Sequence, residues 1–129
     1  MAFAEAKSRR MSAEEIQSAL AEFTGTTAYY RHFTNSLVYT EGVHFLAEAA
    51  GAYWLIDVIA SWQPEAIKDS SLAEFQLWKL HVEDGRAVAI CYRDTDDEAF
   101  RQEIEFTDCP LKEISLYVEG KVLLLPSEH

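Results

Sequence analysis

From Ala73 onward the hydrophobic pattern has a period of two, and nothing else in this 129-residue chain limits its fold so tightly. Gln76, Trp78, Leu80 and Val82 share one face, Phe75, Leu77, Lys79 and His81 the other, and Asp84-Gly85 then leads into an apolar run over residues 87–92. Aspartate and glycine accept the positive φ that both central positions of a tight hairpin turn require, so the segment is predicted as two paired antiparallel strands. After the acidic turn Asp94-Thr95-Asp96-Asp97, the residues Phe100, Gln102, Ile104 and Phe106 alternate with Arg101, Glu103 and Glu105, as a half-exposed strand does. Cys109-Pro110 breaks that run. Ile114, Leu116 and Val118 predict a further strand, Glu119-Gly120 a turn, and residues 122–125 a last strand that Pro126 ends.

Upstream the spacing is helical. Ser12-Ala13-Glu14-Glu15 is a capping box, and Ile16, Leu20 and Phe23 recur at i, i+4 and i+7, which predicts a helix over residues 13–22 with Gly25 ending it. Residues 29–40 are aromatic and β-branched around Thr34-Asn35-Ser36 and read as a strand or hairpin. Thr40 is a candidate N-cap for a helix through Val43, Leu46 and Ala50, and Gly51 either ends it or kinks one longer helix. Tyr53, Trp54, Ile56, Val58, Ile59 and Trp62 then surround a helix almost completely, which predicts the most buried segment of the chain, closed by Pro64. Helices first and strands afterwards imply an α+β fold in two layers, with two or three N-terminal helices on an antiparallel meander of about five strands. Residues 12–129 are expected to form one domain behind a flexible lead-in over residues 1–11.

Charge narrows the partners. With 22 acidic against 11 basic residues the net charge is −11, a field that repels phosphate backbones, so direct nucleic-acid binding is not expected. Cys91 and Cys109 make no Cys-x-x-Cys pair and read as ordinary thiols of a reducing compartment, here the cytoplasm. The apolar stretch over residues 49–60 is too short and too interrupted to span a membrane.

Several stretches together carry a resemblance: Gly42-Val43 through Leu46-Ala47-Glu48, Gly51-Ala52-Tyr53-Trp54-Leu55-Ile56-Asp57, Phe75-Gln76-Leu77-Trp78-Lys79-Leu80, Glu103-Ile104-Glu105-Phe106-Thr107-Asp108, and Leu123-Leu124-Leu125-Pro126-Ser127-Glu128. From about residue 20 to its C-terminus the chain resembles an uncharacterised family of short bacterial proteins, cyanobacterial ones among them. The resemblance implies one compact domain. It supplies no activity, substrate or catalytic residue.

The densest polar and aromatic cluster is Tyr29-Tyr30-Arg31-His32, whose alternation puts Tyr30 and His32 on one surface and Tyr29 and Arg31 on the other. Tyr30, Arg31, His32, His44, Trp54 and Trp78 are the candidate ligand-binding residues; a flat ligand such as haem, with His32 or His44 as axial ligand, is the cofactor they suggest. His44 and Glu48 are spaced i, i+4, which suits an ion pair or hydrogen bond; a zinc site would need more ligands than are visible, and no metal site is expected. Asp57 is either buried with a partner or lies on the helix's one wet stripe with Tyr53 and Ser61, and the stripe is the simpler reading. From Glu83 onward twelve acidic residues stand against five basic, a local net charge of −7, with Asp94, Asp96, Asp97 and Glu98 at one tip and Glu103 and Glu105 on the following strand. Such a surface fits a basic protein partner, as in an inhibitor that imitates nucleic acid. No nucleophile–base set or phosphate loop is visible. The expected function is therefore a small, acidic, non-catalytic binding protein that engages a basic protein surface, with a small-ligand protein as the alternative.

Overall fold

The Ser12 capping box closes in both directions: the Ser12 amide donates to Glu15 Oε1 at 2.8 Å, and the Glu15 amide donates to Ser12 Oγ at 3.2 Å. Helix α1, Ala13–Leu20, starts there and ends at Ala21, short of Gly25, which plays no part in its cap. The computed structural model describes residues 11–26, 28–94 and 96–129, so nearly all of the expected lead-in lies outside the described residues.

Residues 29–40 form a hairpin of two short strands, β1 (Tyr29–Arg31) and β2 (Val38–Thr40), in the register Tyr30↔Tyr39 and Arg31↔Val38. Thr40 caps the next helix by accepting from the Val43 amide, and helix α2 (Glu41–Ala50) ends at Gly51, whose φ of 63° is left-handed. Gly51 thus separates two helices, and α3 follows as Tyr53–Ser61. The expectation that α3 is the most buried segment is not met. Tyr53, Asp57 and Ser61 are exposed at i, i+4 and i+8, the wet stripe that the spacing allows. Nor does Pro64 close α3: it sits in the first turn of a short helix α4, Gln63–Ala66, where a missing amide hydrogen leaves no helical bond unmade. Asp69 then caps α5, Ser70–Glu74.

The strands after α5 are β3 (Phe75–Glu83), β4 (Arg86–Tyr92), β5 (Glu98–Ile104), β6 (Glu113–Glu119) and β7 (Val122–Leu124). Asp84 and Gly85 have φ of 55° and 76°, so the β3–β4 turn has both central residues left-handed, as expected. The class is α+β, but the sheet corrects the predicted antiparallel meander of about five strands. It has seven strands in the order β1-β2-β7-β6-β3-β4-β5, and it is mixed, because β2 and β7 run parallel with Val38↔Val122 and Tyr39↔Leu123. Strands of three residues leave too little alternation to reveal their partners. β5 stops at Ile104, so Phe106, expected as the last residue of its apolar face, lies beyond the strand and is 80% exposed.

Trp78 and Leu80 of β3, Ala89 and Cys91 of β4 and Ile114, Leu116 and Val118 of β6 join Ile16, Leu46, Leu55, Ile56 and Ile59 of the helices in one core. Two buried glutamines cross it. Gln63 Nε2 donates to Gln76 Oε1 and Gln76 Nε2 donates to Gln63 Oε1, each at 3.0 Å, and Trp78 Nε1 also donates to Gln76 Oε1 at 2.8 Å. At the other side of the core, Glu128 of the 3-10 turn Pro126–Glu128 reaches the start of α2. Its carboxylate accepts from Thr40 Oγ1 at 2.6 Å, the Leu125 amide at 2.9 Å and the Gly42 amide at 3.2 Å. A carboxylate there also faces the positive end of the helix dipole.

Candidate functional site

Strand β1 sorts its side chains by alternation. Tyr30 turns toward α2, where its ring lies parallel to His44 with centroids 4.2 Å apart and 5° between planes, and beside Tyr39 at 5.5 Å. Tyr53, at the start of α3, meets His44 edge-on at 6.1 Å. Tyr30 and Tyr53 remain 37% and 40% exposed, so this row of rings is part of the surface. Its polar ends are fixed: the Tyr53 hydroxyl donates to Glu48 Oε2 at 2.6 Å. Burial, the hydrogen bond to Glu48 and its negative charge push the Tyr53 phenol up to about 12. Burial and the neighbouring Tyr30 and Asp57 likewise push Tyr39 up.

Next to the rings, His32 is 6% exposed while Asp57 is 60% exposed, and His32 Nε2 stands 2.7 Å from Asp57 Oδ1. The Thr34 amide donates to His32 Nδ1 at 3.2 Å, so a neutral ring carries its lone pair there and its hydrogen on Nε2, directed at Asp57. Thr34 Oγ1 lies 2.8 Å from Nδ1 and 2.8 Å from Ser36 Oγ. Both imidazole nitrogens are therefore engaged, and the contact ties the β1–β2 turn to α3.

Of the candidate ligand residues, Tyr30, His32 and His44 are brought to one face. Arg31 points to the opposite side, toward the β6–β7 turn. Trp54 is half-buried against the core, and Trp78 is 2% exposed with its indole bound to Gln76, so the structure does not bring it to the ring row. Glu48 accepts from Tyr53 rather than pairing with His44, a link across the Gly51 break that no helical spacing could announce. Tyr39 joins the site without having been singled out, and its place opposite Tyr30 in a hairpin was the available signal. Among the described residues no group of three or more His, Cys, Asp or Glu could hold a metal ion.

The acidic candidates lie at the other end of the sheet. Asp97 pairs with Arg93 at 3.2 Å, and Arg93 also holds Asp69 at 2.8 Å. Glu98 takes both arms of Arg101 at 3.0 Å, which holds its carboxyl below the usual range. Asp96, Glu103 and Glu105 are exposed; Asp94 is exposed as well. Part of the tip's charge is thus neutralised by its own arginines. Both cysteines are free and buried, and burial pushes the Cys91 thiol up to about 12. No helix of the described residues is long and apolar enough to cross a membrane.

Fold and site define a small α+β domain that displays a row of rings edged by carboxylates beside one end of a mixed sheet. The model of a family of unknown function, DUF6876, matches residues 14–129, and the chain belongs to that family. No curated protein and no solved structure matches it.

Proposed function

We propose that the protein is a non-catalytic binding protein for a basic protein partner, and that it meets this partner through the ring row rather than through the acidic tip. The observation that carries the reading is the exposed Tyr30–His44–Tyr53 row with the Glu48 and Asp57 carboxylates beside it. Aromatic faces next to carboxylates attract lysine and arginine side chains by cation–π contact and charge together. Phe33, 83% exposed and 4.5 Å from the His32 ring, adds an aromatic side chain on the same hairpin, and aromatic residues anchor protein interfaces. The net charge of −11 steers a cationic partner toward the molecule, and two buried free thiols suit a reducing cytoplasm. The flat-ligand alternative has less support, since His32 has no free nitrogen and Trp78 lies in the core.

The test is titration with a lysine-rich peptide at low and high salt, followed by calorimetry. Each of Tyr30→Ala and Tyr53→Ala is expected to weaken binding about two- to fivefold, the range of an exposed cation–π contact. Reversing Asp94, Asp96 and Asp97 to lysine should change the association rate more than the affinity contributed by the rings. Loss of binding with the reversed tip alone, and none with the tyrosines, overturns the assignment.

A further inference from the structure

The two edges of the sheet differ. β1 exposes three residues, whereas β5 exposes seven, Glu98–Ile104, with no proline or lysine among them. Shortness, proline and lysine are common means by which an edge avoids pairing with another chain. The irregularity opposite Cys91 and Tyr92 falls at the start of β5 and leaves residues 100–104 in unbroken register with β4. Their inner side is held in place: the Phe100 ring stacks on Trp62 with centroids 4.6 Å apart, and the Trp62 indole donates to Gln102 Oε1 at 3.1 Å.

The β3–β4 turn decides which backbone groups of β5 face outward. Its two-residue loop, Asp84-Gly85, makes Glu83↔Arg86 a hydrogen-bonded pair, and such pairs alternate along an antiparallel ladder. β4 thus bonds β3 through Arg86, Val88 and Ile90, and bonds β5 through Ala87, Ala89 and Cys91. The β5 residues opposite these three, Ile104, Gln102 and Phe100, turn their amides and carbonyls toward β4. Arg101 and Glu103, which lie between them, turn theirs to solvent. Any further antiparallel strand must set its own outward-facing residues against those two.

We propose that this strand is β5 of a second copy of the chain, paired about a twofold axis through Gln102. In that register Arg101 of each copy stands opposite Glu103 of the other. Each of these two pairs exchanges both backbone hydrogen bonds and also joins opposite charges. Moving the axis to Arg101 or to Glu103 sets like charges face to face instead. Glu98 takes Nε and Nη2 of Arg101, which leaves Nη1 for Glu103 of the second copy. On the inner side the same register sets Phe100 opposite Ile104 twice, an apolar cross-strand pair. Two chains of charge −11 repel, but at about 0.15 M salt charges more than about 8 Å apart are largely screened, while the contact pairs are closer than that. One strand pairing is a small interface, so the dimer is weak and dissociates on dilution. It lies at the opposite end of the sheet from β1 and the ring row, and does not depend on the proposed partner.

Sedimentation equilibrium of the full chain at about 0.15 M salt should show the mass rise with concentration from 14.7 kDa toward twice that value. Amide shifts that follow concentration in NMR should centre on Arg101 and Glu103. Arg101→Glu and Glu103→Arg, each alone, should associate at least tenfold more weakly, since like charges then meet in both pairs. Mixed in equal amounts, the two variants should bind each other at least tenfold more tightly than either binds itself, because every facing position again carries opposite charges. Recovery in the mixture also shows that both variants remain folded. A mass of 14.7 kDa at every concentration up to about 1 mM, concentration-dependent shifts centred elsewhere, single variants that associate like the parent, or a mixture no tighter than its components would each overturn the proposal.

Discussion

Replacing Gly42 by alanine should reverse the ordinary effect of removing a glycine from a helix. In an open helix interior that change stabilises by up to about 1 kcal/mol. Here an added Cβ would stand 2.6 Å from Leu125 Cδ1 and 2.8 Å from both Cδ and Oε2 of Glu128. Leu125 is part of the core and Glu128 is only half-buried, so the carboxylate is the group that leaves. With it go the bonds from Thr40 Oγ1 and the Gly42 amide. Hydrogen bonds to a charged acceptor contribute about 1.5–3 kcal/mol each, and the low end suits a half-exposed group, giving roughly 3 kcal/mol for the pair. After the propensity gain the net loss is about 2 kcal/mol, or a fall in Tm of roughly 8 °C for a domain of this length. Urea denaturation of Gly42→Ala, Glu128→Ala and the double variant forms a cycle in which the two changes share one loss, so their coupling should equal that loss, about 3 kcal/mol. A Gly42→Ala protein as stable as its parent, or two strictly additive effects, refutes the reading that Glu128 holds the start of α2.

Gln76→Leu should cost about 3 kcal/mol in a urea melt, because the Trp78 indole hydrogen and Gln63 Oε1 lose their partner in the core; a change within roughly 0.5 kcal/mol means the network is not formed. Absorbance titration should show the Tyr53 phenol ionising near 12, and Glu48→Gln should bring it down toward the ordinary value of 10.0. Since the folded value is the raised one, this contact supports the fold below pH 10 and is lost as pH rises through about 12. A Tyr53 transition that ignores Glu48→Gln argues against the bond.

What was legible in the sequence follows from where a single local rule decides the outcome. The Ser12 box, the Thr40 cap, Gly51 and Asp84-Gly85 each specify their geometry through neighbours within four residues, and each forms as read. The β3–β4–β6 faces were legible because seven or more residues of alternation leave one register that buries Trp78, Leu80 and Leu116 together. The place of β7 beside β2 was not legible, since three-residue strands carry no such pattern and their pairing is a matter of the whole fold. Likewise the ring row was half visible. Tyr30, His32 and His44 stood out by residue type, whereas Tyr39, and the pairing of Tyr53 with Glu48, came together only when the hairpin folded onto two helices separated at Gly51.

The insertion of β7 between β2 and β6 also orders events during synthesis. The β1–β2 hairpin has no other neighbour in the sheet, so it cannot join the sheet before residues 122–124 leave the ribosome. Until then β2 and β6 each hold one row of amides and carbonyls unanswered. The vacant slot matches the β7 segment of any copy of the chain. At high local concentration, on a polysome for instance, two nascent chains can therefore exchange this one short strand and emerge as an entwined pair.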